Sequence, residues 1–342
     1  MEPPKILAIG QGVMDSYYRV SQEEFDAKTQ TGGGQQIVNE FQYDELTAGM
    51  KRLEKMIPAG STTNMAKALC DLGESVRMRV VMGDDEEGAI YLEELESRGA
   101  SVYPYIVEGK RTARSAIFVA PNGERDMNTC LGAADAPFDV PVKLFDGKPH
   151  VHIEGYLVGV GEVVGSVAAK IRDKGLSSSI DLGSEGFVKF RKNEFQKLMR
   201  ERVVKVLFGN EDEIMALTGE SLERSCKTLS QHFNTVVATR GAKGGFVHTK
   251  GDDHPYKFSA KKVDAVCNST GCGDNFMGGF LYGYIRGRPP KTCAQIGALL
   301  GAEIIKQGRP DLPRDRVKEI RRQAEELLDV AAESARYSPN LS

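Results

Sequence analysis

The chain has 342 residues, with 45 Lys and Arg against 48 Asp and Glu, and 40% hydrophobic residues. That length fits one large domain with a smaller lobe, and a net charge of −3 with a pI near 6.1 excludes a nucleic-acid protein held by bulk charge. No apolar run approaches the ~20 residues that a membrane span needs, and mean hydropathy is −0.34. The opening MEPPKILAIGQG has neither the basic region nor the small-residue cleavage site of a signal peptide, so a cytoplasmic location is expected, with no membrane partner. The six cysteines are scattered without a C-x-x-C pair, which favours free thiols over disulfides or a structural zinc site.

In chain order, Lys5 to Gly10 is a short apolar run ending in glycine and predicts a buried strand leading to a loop. Helical spacing follows over 45–57 (ELTAGMKRLEKMI), and a second helix is expected after Ser61. Arg77 to Met82 reads as a strand and Glu86 to Arg98 as a helix with an acidic start, stopped at Gly99. Residues 101–131 have hairpin grammar, with a Pro-Asn-Gly turn at 121–123. From His150, strands are predicted near 150–155, 177–182, 204–209, 234–239 and 244–249, with helices between most of them. Such alternation implies a mostly parallel sheet covered on both faces. The resulting division assigns 1–13, 45–100 and 132–310 to an α/β core, 14–44 and 101–131 to a small β lid, and 311–342 to a C-terminal helical extension.

The stretch Asn268 to Phe280 (NSTGCGDNFMGGF) carries the most chemistry. Two glycines flank a small residue, an acid follows, and an apolar helix begins. Glycines at a helix start let backbone N–H groups converge on an anion, and the helix dipole adds positive potential. Asp274 is odd at such a place, because it repels the charge that the site attracts. It makes sense if its carboxylate takes a proton from a hydroxyl that then attacks phosphorus, while the N–H groups hold the moving phosphoryl group. Taken alone, the four residues Gly271 to Asp274 also fit a simple helix cap; the longer context argues against it.

That stretch resembles the C-terminal signature of the ribokinase-like carbohydrate kinases, the PfkB family, with pattern D-T-x-G-A-G-D-x-F-x-x-G-F. Other pieces resemble the family in its order along roughly residues 5–310: Gly10 to Asp15, Pro58 to Asn64, Gly83 to Gly88, Asn210 to Glu213 as N-x-x-E, and Thr239 to Gly244. Ala113 to Thr129, with Glu154 to Leu157, is similar to the adenosine-kinase-like and sugar-kinase branch. The resemblance implies a ribokinase-like three-layer α/β sandwich with a mostly parallel central sheet and a small β-sheet lid. It implies an ATP- and Mg²⁺-dependent kinase acting on a primary hydroxyl of a sugar or ribonucleoside, as a monomer or homodimer.

On these positions the resemblance makes Asp274 the catalytic base and gives the anion hole to the backbone of Gly271, Cys272 and Gly273. It puts Asp15, Gly60 and Asn64 on the acceptor hydroxyls, and Asn210, Thr239, Gly241 and Gly244 on the nucleotide. Asn210 and Glu213 would organise Mg²⁺ through water. Asn268 replaces an aspartate tied in several members to a monovalent cation, which argues against K⁺ activation, and Cys272 replaces an alanine whose role is played by the backbone.

Two other readings stay open. A non-catalytic sugar or nucleoside sensor on the same scaffold has only Asn268 in its favour, and the retained Asp274 opposes it. An NAD-dependent oxidoreductase is suggested by Gly10-Gln11-Gly12 and Gly159-Val160-Gly161, but neither is placed in a full dinucleotide-binding fingerprint. His150 and His152 alternate on a predicted strand and so share a face; without a third ligand they read as strand packing rather than a metal site.

Overall fold

The apolar opening run becomes an interior strand of the larger sheet. The computed structural model describes residues 5–28, 34–51, 56–122, 124–263, 270–307 and 309–337. In chain order the first strands are β1 (Ile6–Gln11), β2 (Val13–Arg19), β3 (Gly34–Ile37), β4 (Ile57–Ala59), β5 (Val76–Gly83), β6 (Ser101–Val107), β7 (Ala113–Val119) and β8 (Arg125–Cys130). They are followed by β9 (His150–Ile153), β10 (Ser178–Asp181), β11 (Val206–Asn210), β12 (Thr235–Thr239), β13 (Gly245–Thr249) and β14 (Tyr256–Phe258).

Nine strands form one sheet in the order β14-β13-β12-β11-β10-β9-β1-β5-β6. From β6 to β12 all neighbours are parallel, and β13 and β14 add an antiparallel edge. All six residues of β1 are buried, because helices cover both faces; this is why the run is continuously apolar rather than alternating. Helices Ser61–Asp71, Glu86–Ser97, Cys272–Tyr284, Pro290–Gln307 and Val317–Tyr337 pack on one face, around Leu69, Leu95, Phe280, Leu300 and Ala324. Helices Val163–Lys174, Lys192–Glu201, Glu211–Thr218 and Leu222–Leu229 pack on the other, around Val167, Leu198, Leu217 and Cys226. The expected three-layer sandwich is therefore present, and the strands expected after residue 150 occur in that order.

The chain leaves this sheet at Gly12, whose amide donates to the Val81 carbonyl at 2.9 Å. It continues directly as β2 into a second, five-stranded sheet ordered β3-β8-β7-β2-β4. This is the expected lid, and its hairpin β7–β8 closes near the Pro-Asn-Gly turn; Gly123 lies outside the described residues. Two assignments change. Ser101–Val107, read as lid, pairs in parallel with β5 at the edge of the large sheet. An edge strand is half exposed, so it alternates like a lid strand, and Pro104 is tolerated there. Conversely, Ile57–Ala59, read as core, pairs antiparallel with β2 inside the lid. The helical spacing over 45–57 also ends early. Its helix runs Glu40–Thr47, started by an Asn39–Gln42 capping box and released at Gly49, with residues 52–55 outside those described.

The segment after Pro290–Gln307 is pinned to the body by charge. Buried Lys67 donates to the Pro58 carbonyl at 2.7 Å and pairs with Asp311. Arg98 reaches Asp311 at 3.3 Å and Asp71 at 2.9 Å. Burial works against the Asp311 carboxylate, yet Lys67 and Arg98 hold its pKa below the usual range. Removing one partner of a buried pair leaves an uncompensated charge. Asp311→Ala is therefore expected to lower unfolding free energy by about 3–5 kcal/mol in urea titration. Because the folded-state pKa is depressed, the Asp311 contribution is present at neutral pH and fades as pH falls through that value; a mutant penalty that does not shrink in acid would contradict this.

Candidate active site

In open parallel sheets, ligands bind at the carboxyl ends of the strands, where the chain order reverses. Here β1 has β5 on one side and β9 on the other, so the reversal lies at β1. The polar residues gather at those ends: Gln11 closes β1, Glu154 follows β9, Asp181 closes β10, Asn210 closes β11 and Thr239 closes β12.

The helix Cys272–Tyr284 points its amino end at them. Its cap is Gly271, at φ 74° and with no side-chain capping bond. A Cβ there would sit 2.6 Å from the Pro310 side chain, so the position requires glycine on both counts. Asn275 Nδ2 donates to the carbonyls of Gly271 (2.8 Å) and Pro310 (2.9 Å), fixing the turn. The first N–H groups of a helix have no intrahelical acceptor, so those of Cys272, Gly273 and Asp274 make a positive pole suited to an anion.

Asp274 sits in that first turn. Its Oδ2 accepts from Asn64 Nδ2 at 2.9 Å. Burial pushes its pKa up to about 6; Asp181 adds to the rise, while the Asn64 and Ser61 hydrogen bonds and the Lys67 charge oppose it. A cleft of about 100 Å³ is lined by Ser61, Asp181, Asn210, Glu213, Thr239, Gly273 and Asp274, among others. Ser61 Oγ donates to Asp181 Oδ2 at 3.2 Å, and the Gly155 amide donates to Asp181 Oδ1 at 2.9 Å.

Asn210 and Glu213 lock each other through a capping box. Glu213 accepts from the Asn210 amide (2.9 Å) and Nδ2 (2.7 Å), and its own amide donates to Asn210 Oδ1 at 2.9 Å. Burial, with Asp181 and Asp274 nearby, raises the Glu213 pKa to about 8. Among the described residues no three His, Cys, Asp or Glu side chains gather to cage a metal directly. Burial and the Asp181 and Asp274 charges nevertheless hold the Glu213 proton on near neutrality, and a cation there would favour its release. An all-oxygen donor set suits a hard ion that keeps its waters.

On the lid side, buried Asp15 has its pKa raised to about 7 by desolvation, with Lys67 opposing. Close to neutrality it therefore offers both a donor and an acceptor. Gly60 caps the helix Ser61–Asp71, and a Cβ there would lie 3.5 Å from the Gln11 carbonyl. Asn64 links this side to Asp274. Glu154 accepts from the Gln11 amide at 2.8 Å, and burial beside Asp181 raises its pKa to about 8.

The structure thus brings Asp274, Gly273, Asn64, Asn210, Glu213 and Thr239 together. Gly241 and Gly244 lie outside the cleft lining, in the short 3-10 turn after β12. The Gly244 amide bonds to the Gly241 carbonyl at 3.1 Å, and a Cβ on Gly244 would fall 2.0 Å from the Phe258 carbonyl, so this glycine serves the turn itself. Asn268 lies outside the described residues. Asp181 and Lys67, which also reach this region, lie in no motif read from sequence, whereas Ser61 and Glu154 lie in the quoted stretches without an assigned role. For Asp181 a signal existed: an acid at the carboxyl end of a predicted parallel strand.

Cys272 turns away from the cleft, its Sγ 3.5 Å from the Gly301 carbonyl, and burial raises its pKa to about 11. At pH 7.5 the thiol stays protonated and unreactive. Iodoacetamide treatment of the folded protein should leave Cys272 unmodified by peptide mass spectrometry; rapid labelling would contradict the geometry.

The comparisons agree with this arrangement. The model of the pfkB family carbohydrate kinases matches residues 37–315. Over 260 residues the chain is 27% identical to a cytidine kinase of Thermococcus kodakarensis, covering 73% of this chain and 88% of the relative. Its fold superposes on a probable sugar kinase of Rhizobium etli with TM-score 0.86 at 26% identity, over 95% of this chain and 99% of that one. The adenosine kinase of Sinorhizobium meliloti gives TM-score 0.85 at 26% identity, over 94% and 99% of the two chains.

Proposed function

The chain belongs to the pfkB family of carbohydrate kinases, and from that premise we propose that Asp274 is the base that deprotonates an acceptor hydroxyl of a ribonucleoside while the helix start at Gly271 binds the transferring phosphoryl group. The coarser activity, a sugar or nucleoside kinase using ATP, follows from the family and its relatives. The observation that carries the finer reading is the placement of one ionisable carboxylate in the first turn of an uncapped helix, hydrogen-bonded to Asn64.

Phosphoryl transfer needs positioning and charge stabilisation more than covalent chemistry. Asn64 and Asp15 orient the acceptor, and Asn64 also aims the Asp274 carboxylate. Asp274 accepts the hydroxyl proton as the oxygen approaches phosphorus. The N–H groups of Cys272, Gly273 and Asp274 meet the charge developing on the phosphoryl oxygens. Thr239 faces the nucleotide side of the cleft. Asn210 and Glu213 would hold Mg²⁺ through its waters, and the ion when bound supplies neutralising charge for the phosphates. The lid sheet carries Asp15 and excludes water that would otherwise take the phosphoryl group.

A pKa of about 6 is well matched to a base working near neutrality. The base is competent above that value and lost below it. The acid limb of kcat/KM should therefore bend near pH 6, as an apparent value for the coupled carboxylates. Asp274→Asn should lower kcat by about 10²–10⁴-fold with the protein still folded; near wild-type turnover would overturn the assignment.

The ribonucleoside class is favoured by a second cleft of about 400 Å³ that shares Gln11 with the acceptor side. Ile37, Leu131, Tyr156, Val158 and Phe187 line it. Tyr156 and Phe187 pack edge to face at 4.9 Å. A free sugar offers only a small C–H face ringed by hydroxyls to such walls, whereas a nucleobase offers a wider, flat aromatic one. Several relatives are named as nucleoside, cytidine or adenosine kinases. In a thermal-shift panel of nucleosides and simple sugars, nucleosides should raise Tm the most. A larger shift with a free hexose or pentose would reverse the order.

A further inference from the structure

A file of buried polar side chains runs through the middle of the large sheet and ends at the candidate site. His150 and His152 on β9 and Ser179 and Asp181 on β10 share one face, since Ser179 is register partner to His152. Ser177, just before β10, is exposed; His150, His152 and Ser179 are buried. His150 Nδ1 is 2.9 Å from Ser177 Oγ, and His150 Nε2 is 2.9 Å from Ser179 Oγ. His152 Nδ1 is 3.0 Å from the same Ser179 Oγ. His152 Nε2 then stands 3.5 Å from Asp181 Oδ1, with no hydrogen-bond partner among the described residues.

Counting protons gives this file a direction. A neutral imidazole has one donor and one acceptor nitrogen, and a hydroxyl has one proton. Ser179 touches both rings and can donate to only one of them. If it donated to His150, a neutral His152 would carry its proton on Nδ1 and turn the Nε2 lone pair toward the Asp181 carboxylate, inside a fully buried site. If it donates to His152 Nδ1, the His152 proton sits on Nε2 and faces Asp181. Ser179 then accepts from His150 Nε2–H, and His150 Nδ1 accepts from Ser177. Every group is used once. A doubly protonated His152 would instead bury a cation and reverse the His150 end. Burial holds His150 neutral, its pKa down to about 3.

We propose that His152 is a positioning residue for Asp181, held as its neutral Nε2–H tautomer by the one-way chain Ser177→His150→Ser179→His152→Asp181. Asp181 also receives Ser61 and the Gly155 amide; the chain directs the His152 Nε2–H at Oδ1 from beneath, across 3.5 Å, and so biases the plane of the carboxylate. That matters because the Asp181 charge raises the pKa of Asp274 and Glu213. A displaced Asp181 alters the field at the base without touching substrate. His150 also packs edge to face on Tyr284 at 5.6 Å, at the far end of the helix that carries Asp274. The positioning role rests on the phosphoryl-transfer reading above; the tautomer does not, so the two fail separately.

The deciding measurement is a long-range ¹H–¹⁵N spectrum of the wild-type protein labelled in histidine, assigned with His150→Gln and His152→Gln. Both rings should be Nε2–H tautomers. A proton on Nδ1 of either ring, or a charged His152, overturns the chain. Ser179→Ala should release the His152 tautomer while leaving the fold intact. For the positioning role, His152→Leu should lower kcat on the order of tenfold, in the range for an outer-shell partner, with acceptor KM little changed. His152→Gln, whose Nε2 can still donate to Asp181, should recover most of the loss. Equal loss in both variants, with the spectrum as expected, would make the chain purely structural and refute the positioning role.

Discussion

The site depends on one opposition: a carboxylate, Asp274, in the first turn of a helix whose positive end is built to receive an anion. On the proposed mechanism, an acid left alone there would occupy the very field that the phosphate needs. Three contacts keep the two charges apart in function. Asn64 takes hold of one Asp274 oxygen from the neighbouring helix. Asn275 ties the glycine turn to Pro310, so the amides keep their direction. Lys67, buried one turn beyond Asn64, lowers the pKa of both Asp274 and Asp15 without an ion pair to either.

The same lysine joins parts of the chain that are far apart. It donates to Pro58 in lid strand β4 and pairs with Asp311 after the long helix Pro290–Gln307. Pro310, next to that aspartate, packs on Gly271. The small sheet, the helix Ser61–Asp71 and the turn at Gly271 are therefore braced around a single buried charge cluster. Such clusters are costly to desolvate and add little net stability over an apolar core. Here they hold separate elements in one geometry, a task that apolar packing performs with less directional control.

The carboxylates at the strand ends form the other half of the electrostatics. Asp181, Glu213 and Glu154 come from β10, from the helix after β11 and from the end of β9. Parallel strands deliver all their carboxyl ends to one edge, so acids distant in sequence meet there. Burial, with the Asp181 charge adding to it, raises the pKa of Glu213 and Glu154. The seryl and histidyl side chains beneath Asp181 show how the sheet interior can be polar, since both nitrogens of His150 and Nδ1 of His152 find a serine hydroxyl.

Much of this was legible in the amino-acid order, because it depends on local pattern. The apolar run at 6–11, the β/α alternation after His150, and the glycines and acid at 271–274 follow from spacing and from backbone freedom at glycine. Asn210 and Glu213 were recognisable as a pair only through their likeness to the N-x-x-E element; the structure adds that they form a capping box. Other features required the fold. Ser101–Val107 and Ile57–Ala59 exchanged sheets because a strand of alternating or short apolar residues does not specify its hydrogen-bonding neighbour. A Cβ on Gly244 would meet the Phe258 carbonyl, and its absence from the cleft lining is a tertiary fact. Asp181, Glu154 and Lys67 became site residues only when strands and helices separated by tens of residues came together. The sequence by itself determined which elements form and which residues could do chemistry, since those depend on neighbours along the chain; the tertiary structure alone decided which charges share a low-dielectric cleft, because Coulomb energy depends on separation in space.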